Sequence, residues 1–128
     1  MTYYFSKTIR SGFDEAVSKV RQSLKVEGFG VLTEIDVKDT LKKKLDFAFK
    51  KYLILGACNP PFAFKALQVE DKIGTMLPCN VIVQEIDDGE IEVAAIDPIV
   101  SMQAIKNPDL HDVADQVQRK LKKVIDSL

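Results

Sequence analysis

The sequence predicts an α+β domain built on a single mixed β-sheet of about five strands covered by helices, in the order β-α-β-α-β-α-β-β-α. Three observations carry the prediction. Short β-branched and aromatic runs alternate with stretches whose apolar residues recur every three or four positions, which interleaves strands with helices. VIVQEI and IEVAAID flank Asp87-Asp88-Gly89-Glu90, the clearest hairpin signal in the chain. The 128 residues, 46% apolar and 29% charged, have an ordinary globular balance and suffice for one core. Repeats, low-complexity tracts and linkers are missing, so residues 1–128 read as one domain.

Each element has its own signature. TYYFSKTI, residues 2–9, is aromatic and β-branched and predicts a strand. Ser11 opens S-G-F-D, a capping-box variant with Asp14 in the fourth place. Phe13, Val17, Val20 and Leu24 then follow at helical spacing, and Gly28 stops the helix. GFGVLTEIDV is the second strand, with Gly30 expected as a bulge or close-packing site. Leu41, Leu45, Ala48 and Tyr52 mark a second helix that starts near Asp36 or Asp39. YLILGAC reads as a central strand. A third helix is expected from Pro61, because Pro60 precedes a proline and should avoid the α region. The hairpin strands follow, then a helical turn around Ser101–Ile105. Asn107-Pro108 opens the last helix, whose Leu110, Val113, Val117, Leu121 and Val124 form a clean apolar stripe. With Ala114, Ile125 and Leu128 beside it, the stripe suits packing on a sheet and leaves a margin for a partner subunit.

Charge and composition narrow the function classes. Eighteen basic against nineteen acidic residues give a net charge of −1, which disfavours nucleic acid as a partner. LKKKL and FKK are basic clusters, but neighbouring acidic residues cancel the one-sided field that RNA or a membrane would need. The N-terminus lacks a signal-peptide core, and no run approaches the roughly eighteen apolar residues of a membrane helix. The expectation is a cytoplasmic protein with reduced thiols at Cys58 and Cys79. Two cysteines and the lone His111 fall short of a four-ligand zinc set, so no metal is assigned. Gly28-Phe29-Gly30 imitates a dinucleotide fingerprint, yet it follows a helix, opens a strand and lacks the third glycine. His111 falls beside the apolar stripe with Asp115 and Gln118, on the solvated face.

The strongest chemical candidate is LILGACNPPFAFKAL, residues 53–67. A cysteine facing a helix N-terminus can have its thiolate stabilised by the helix dipole and free amides. The double proline removes two of those amides, leaving Phe62 and Ala63 as donors. Cys58 is therefore either a packed corner residue or a functional thiol. Cys79 lies in TMLPCNVIV, so Cys-Asn occurs twice, beside proline and at a strand boundary. If the strands are neighbours, both thiols approach one rim of the sheet, as a dithiol, a soft-metal site or a polar cleft would require. The Phe47, Phe49, Phe62 and Phe64 group is mostly core, with alternate members available to line a cleft.

GFGVLTEIDV, ILGACNPPFAFKAL, LPCNVIVQE and VAAIDPIVSM, in this order, resemble the bacterial and archaeal domain-of-unknown-function family numbered 302, from about Phe5 to the C-terminus. The resemblance implies a small α+β domain, often a stand-alone protein, and carries over no catalytic role or cofactor. It singles out Gly56, Cys58, Asn59, Pro60, Pro78, Cys79 and Asp97. Two functions follow as expectations. One is a non-enzymatic, dimeric module binding a small polar or anionic ligand at a corner formed by Cys58, Asn59, Pro60, Cys79, Asn80 and Asp97. The other is thiol-based redox or sulfur handling, or soft-metal binding, by Cys58 and Cys79.

Overall fold

A computed structural model describes residues 2–128. Five runs become strands: β1 (Tyr4–Arg10), β2 (Gly30–Asp36), β3 (Tyr52–Cys58), β4 (Cys79–Asp87) and β5 (Glu90–Ile96). Between and after them lie α1 (Phe13–Val26), α2 (Val37–Leu45), α3 (Pro60–Val69), α4 (Pro98–Ser101) and α5 (Pro108–Asp126), with a 3₁₀ segment at Asp71–Met76. The strands form one five-stranded sheet in the order β1-β5-β4-β3-β2. The α+β class and the element order are as the sequence predicts. Every neighbouring pair is antiparallel, so the sheet is antiparallel where a mixed one was expected. The reason is topological. The helices after β2 and β3 return the chain to the adjacent strand instead of crossing over, and interleaving alone does not distinguish these routes.

α1 packs on β4 and β5, α5 on β5 and β1, and the two helices touch each other. Val20 and Leu24 of α1 share one core with Leu55, Val81, Val83, Ile91 and Val93 from the strands, all fully buried. Burying each such side chain contributes roughly 1.5–3 kcal/mol before chain entropy is counted. The whole stripe of α5, including Ala114 and Ile125, is buried within the chain. Leu128, beside it, is half-buried.

Local departures have local causes. Ser11 makes no capping box: its hydroxyl donates to the Gly12 carbonyl at 2.9 Å, and Gly12 is the N-cap of α1. α2 is capped by Asp36, whose carboxylate accepts from the Asp39 N–H at 2.9 Å. It stops at Leu45 because Asp46 turns left-handed at φ 50°, so Ala48 lies outside the helix and Tyr52 opens β3. A short polar side chain tolerates that conformation. Gly30 packs closely on nothing; the irregularity in β2 falls between Val31 and Thr33. α3 begins at Pro60, one residue earlier than expected. Extended Asn59 satisfies the first proline, and its carbonyl accepts from Phe62 and Ala63 at 3.1 and 3.0 Å, which holds Pro60 helical despite Pro61. The turn expected at Ser101–Ile105 starts earlier, as α4, because Asp97 caps it. Gly28 and Gly89 adopt φ +87° and +72°, as helix stop and hairpin turn require.

Candidate functional site

The two Cys-Asn dipeptides lie side by side at one end of the sheet. Gly56 pairs with Asn80, and Ala57 with Cys79. The pleat then separates the side chains. Cys79 shares the helix-covered side with Ala57, whereas Cys58 shares the opposite side with Gly56 and Asn80. Cys79 is buried and Cys58 half-buried. Burial first, and the neighbouring Cys58 second, push the Cys79 thiol from 9.0 up to about 11.

That shift has a sign and a test. The folded protein holds the Cys79 proton more tightly than the unfolded chain does. The resulting stabilisation is complete below the ordinary thiol value and is lost as pH rises through about 11. Tyr52, raised by burial and then by Tyr3 and Glu92, adds to the same alkaline loss. Unfolding free energy should therefore fall between pH 9 and about 11. At neutral pH, Cys79 should present about 100-fold less thiolate than an ordinary cysteine, measurable as slow iodoacetamide labelling against the denatured protein.

The remaining candidates are largely engaged within the chain. Asn59 is buried at the N-cap of α3, but its amide does not cap that helix. Its Nδ2 donates to the Glu27 carbonyl at 3.1 Å, tying the end of α1 to the mouth of α3. Gly28 leaves the room this needs, since a Cβ there would lie 3.2 Å from that nitrogen. Pro60 and Pro61 lack N–H groups, and the next two amides both donate to Asn59, so the mouth of α3 presents no free backbone donor. Asn80 is exposed on the opposite side of the sheet. Asp97 is buried and accepts from the Ile99 N–H at 3.0 Å and from Gln118 Nε2 at 3.1 and 3.2 Å. It joins the end of β5 to α5. His111 is exposed, its ring nitrogen 3.2 Å from the Ile105 carbonyl.

Cys58, Asn59 and Cys79 do converge on one feature, a cavity of about 370 Å³ between α3, α5 and the end of the sheet. Its walls are almost wholly hydrocarbon, with Phe29, Phe62, Leu77, Met102, Leu110 and Val113 among the residues that line it. Phe62 was a cleft candidate from sequence. The others were not, because apolar residues at helical or strand spacing read as core whether or not they enclose a space. Among the described residues, no three His, Cys, Asp or Glu side chains are grouped as metal ligands. Among them, no helix is long and apolar enough to cross a membrane.

No curated protein matches the chain. A solved structure does: the crystal structure of an uncharacterized conserved protein DUF302 from Bacillus stearothermophilus is similar at a TM-score of 0.90 and 27% identity, covering 98% of each chain. The profile described as Domain of unknown function DUF302 matches residues 5–128, which takes in all five strands but the first residue of β1 and every helix. On that near-complete match, the chain belongs to the DUF302 family.

Proposed function

We propose that the protein is a non-enzymatic binding module for a small apolar or amphipathic molecule held in the cavity between α3 and α5. The observation that carries this reading is the cavity itself. Its volume of about 370 Å³ lies within the range of small-molecule pockets, and its lining is nearly free of polar groups. A polar or anionic ligand at the Cys-Asn corner is the poorer fit. The Asn59 amide is committed to Glu27, the α3 mouth has no free donor, and the Asp97 carboxylate is held by Ile99 and Gln118. Cys58 and Asn59 then serve as the rim of an apolar site. A nucleophilic role for Cys79 loses ground for a related reason: raised to about 11, its thiol is neutral at physiological pH and a poor nucleophile.

N-phenylnaphthylamine, a neutral fluorescent probe, and decanoate as its competitor test the reading. Probe fluorescence should rise to saturation at one equivalent per chain, and decanoate should displace it. Ala114→Phe fills the cavity from α5 and should abolish the signal while the melting temperature holds or rises. Ala63→Phe, on the half-buried wall of α3, provides the same test should the deeper substitution disturb folding. Failure of both probe and decanoate to bind the wild-type protein, or binding that survives both substitutions, overturns the proposal.

A further inference from the structure

α1 and α5 cover one side of the sheet, and the other side carries a pattern that a solvated face does not need. Ser6, Ala94, Ile82, Ile54 and Ile35 are directly opposed from strand to strand, so one uncharged row crosses all five strands. On one flank of it lies the row Thr8, Glu92, Gln84 and Tyr52. On the other flank, Tyr4 opposes Ile96, and Asn80 opposes Gly56, which opposes Thr33. In a chain that is 29% charged, Glu92 is the single carboxylate in these rows, where Gln84 Nε2 donates to it at 2.9 Å, and the next row outward on this face is the Arg10–Glu90 ion pair. Depletion of charge over a patch with aromatic margins is the compositional mark of an interface centre. The Gln84 Oε1 is buried and has no hydrogen-bond partner among the described residues.

We propose that this face binds a second copy of the chain, sheet against sheet. The inference is independent of the cavity, which lies on the helix-covered side. Area supports it. Seven-residue strands at about 3.4 Å per residue, five across at about 4.8 Å, make a face roughly 24 Å square. The relief of its side chains brings the accessible area toward the ~800 Å² per partner of a standard stable interface. Self-complementarity supports it further. With the two-fold axis in the interface and along the Ser6–Ala94–Ile82–Ile54 row, each strand meets its own copy and the flanking rows exchange. Gln84 then lies over the partner's Asn80. Tyr52 lies over the partner's Gly56. The two Glu92 carboxylates stay on opposite sides of the axis, so like charges do not stack. Aligned sheets packed this way leave about 10 Å between them, filled by these side chains.

Sedimentation equilibrium of the full chain tests the proposal. The wild-type protein should sediment as a dimer at low micromolar concentration. Ile82→Lys, at the centre of the face, should weaken dimerisation at least about 30-fold, the effect of losing a hot-spot contact. Asn80→Ala should loosen it less, by roughly 5-fold, through lost packing against the partner's Gln84. Circular dichroism should show the fold unchanged in both. Ser6→Arg, on the exposed side of the edge strand, gives a second test if Ile82→Lys compromises folding. A wild-type protein that stays monomeric at high micromolar concentration overturns the proposal, as does a dimer indifferent to Ile82→Lys and Ser6→Arg.

Discussion

Gly56→Ala is expected to destabilise the protein by about 3 kcal/mol, the upper range for forcing an extra carbon into a packed site. Gly56 sits inside the sheet between Thr33 of β2 and Asn80 of β4. A Cβ there would collide with Thr33 Oγ1 and come within 2.7 Å of Pro78 Cγ. Neither neighbour can move aside cheaply: threonine is stiff at χ1, and the proline ring is locked to its backbone. The strand must therefore shift, at the very place where β3 meets the Cys-Asn corner. Urea titration of the single substitution measures the loss. Thr33→Ala in the same chain should recover part of it by removing one of the two obstacles. A Gly56→Ala protein within about 0.5 kcal/mol of wild type would show that the corner yields more readily than this geometry allows.

The second large effect is at Asp97. Asp97→Ala removes the acceptor for the Ile99 N–H and for Gln118 Nε2 together, leaving both donors without it in a part-buried setting. The expected cost is about 2–3 kcal/mol, since hydrogen bonds to a charged acceptor are worth more than neutral ones and stranded donors add their desolvation. Asp97→Asn keeps an acceptor oxygen for Ile99 and should cost about 1 kcal/mol. A double-mutant cycle with Gln118→Ala isolates the tie between the end of β5 and α5. Normal stability of Asp97→Ala combined with loss of N-phenylnaphthylamine binding would instead assign Asp97 to the ligand.

How much of this was legible in the sequence follows from which signals are local. The strands, the Gly28 stop, the Asp-Gly hairpin and the α5 stripe are each written within about a dozen residues, and they stand where the sequence put them. The end of α2 was missed because Ala48 and Tyr52 continue the helical spacing, while the left-handed Asp46 interrupts the backbone without interrupting the pattern. Strand direction was missed because it depends on where each helix returns the chain. The neighbourhood of the two Cys-Asn dipeptides was legible as a conditional: adjacent strands would bring them together, and β3 and β4 are adjacent. What Asn59 and Asp97 do there was not. Their partners, Glu27 and Gln118, lie 32 and 21 residues away in sequence, and no local rule connects them. The cavity was invisible for a different reason. A side chain lining a void and one filling a core obey the same apolar periodicity, and only the positions of the opposing walls tell them apart.

The pairing of β1 with β5, in which Tyr4 opposes Ile96, bears on how the chain is made. A ribosome delivers the first strand long before the one it must join, and α1 emerges before the α5 it leans on. The nascent amino-terminal half therefore has neither a sheet partner for its leading edge nor a complete lid, and contacts so distant in sequence form slowly. Synthesis must run through β5 and α5 before this sheet and its helical cover can close.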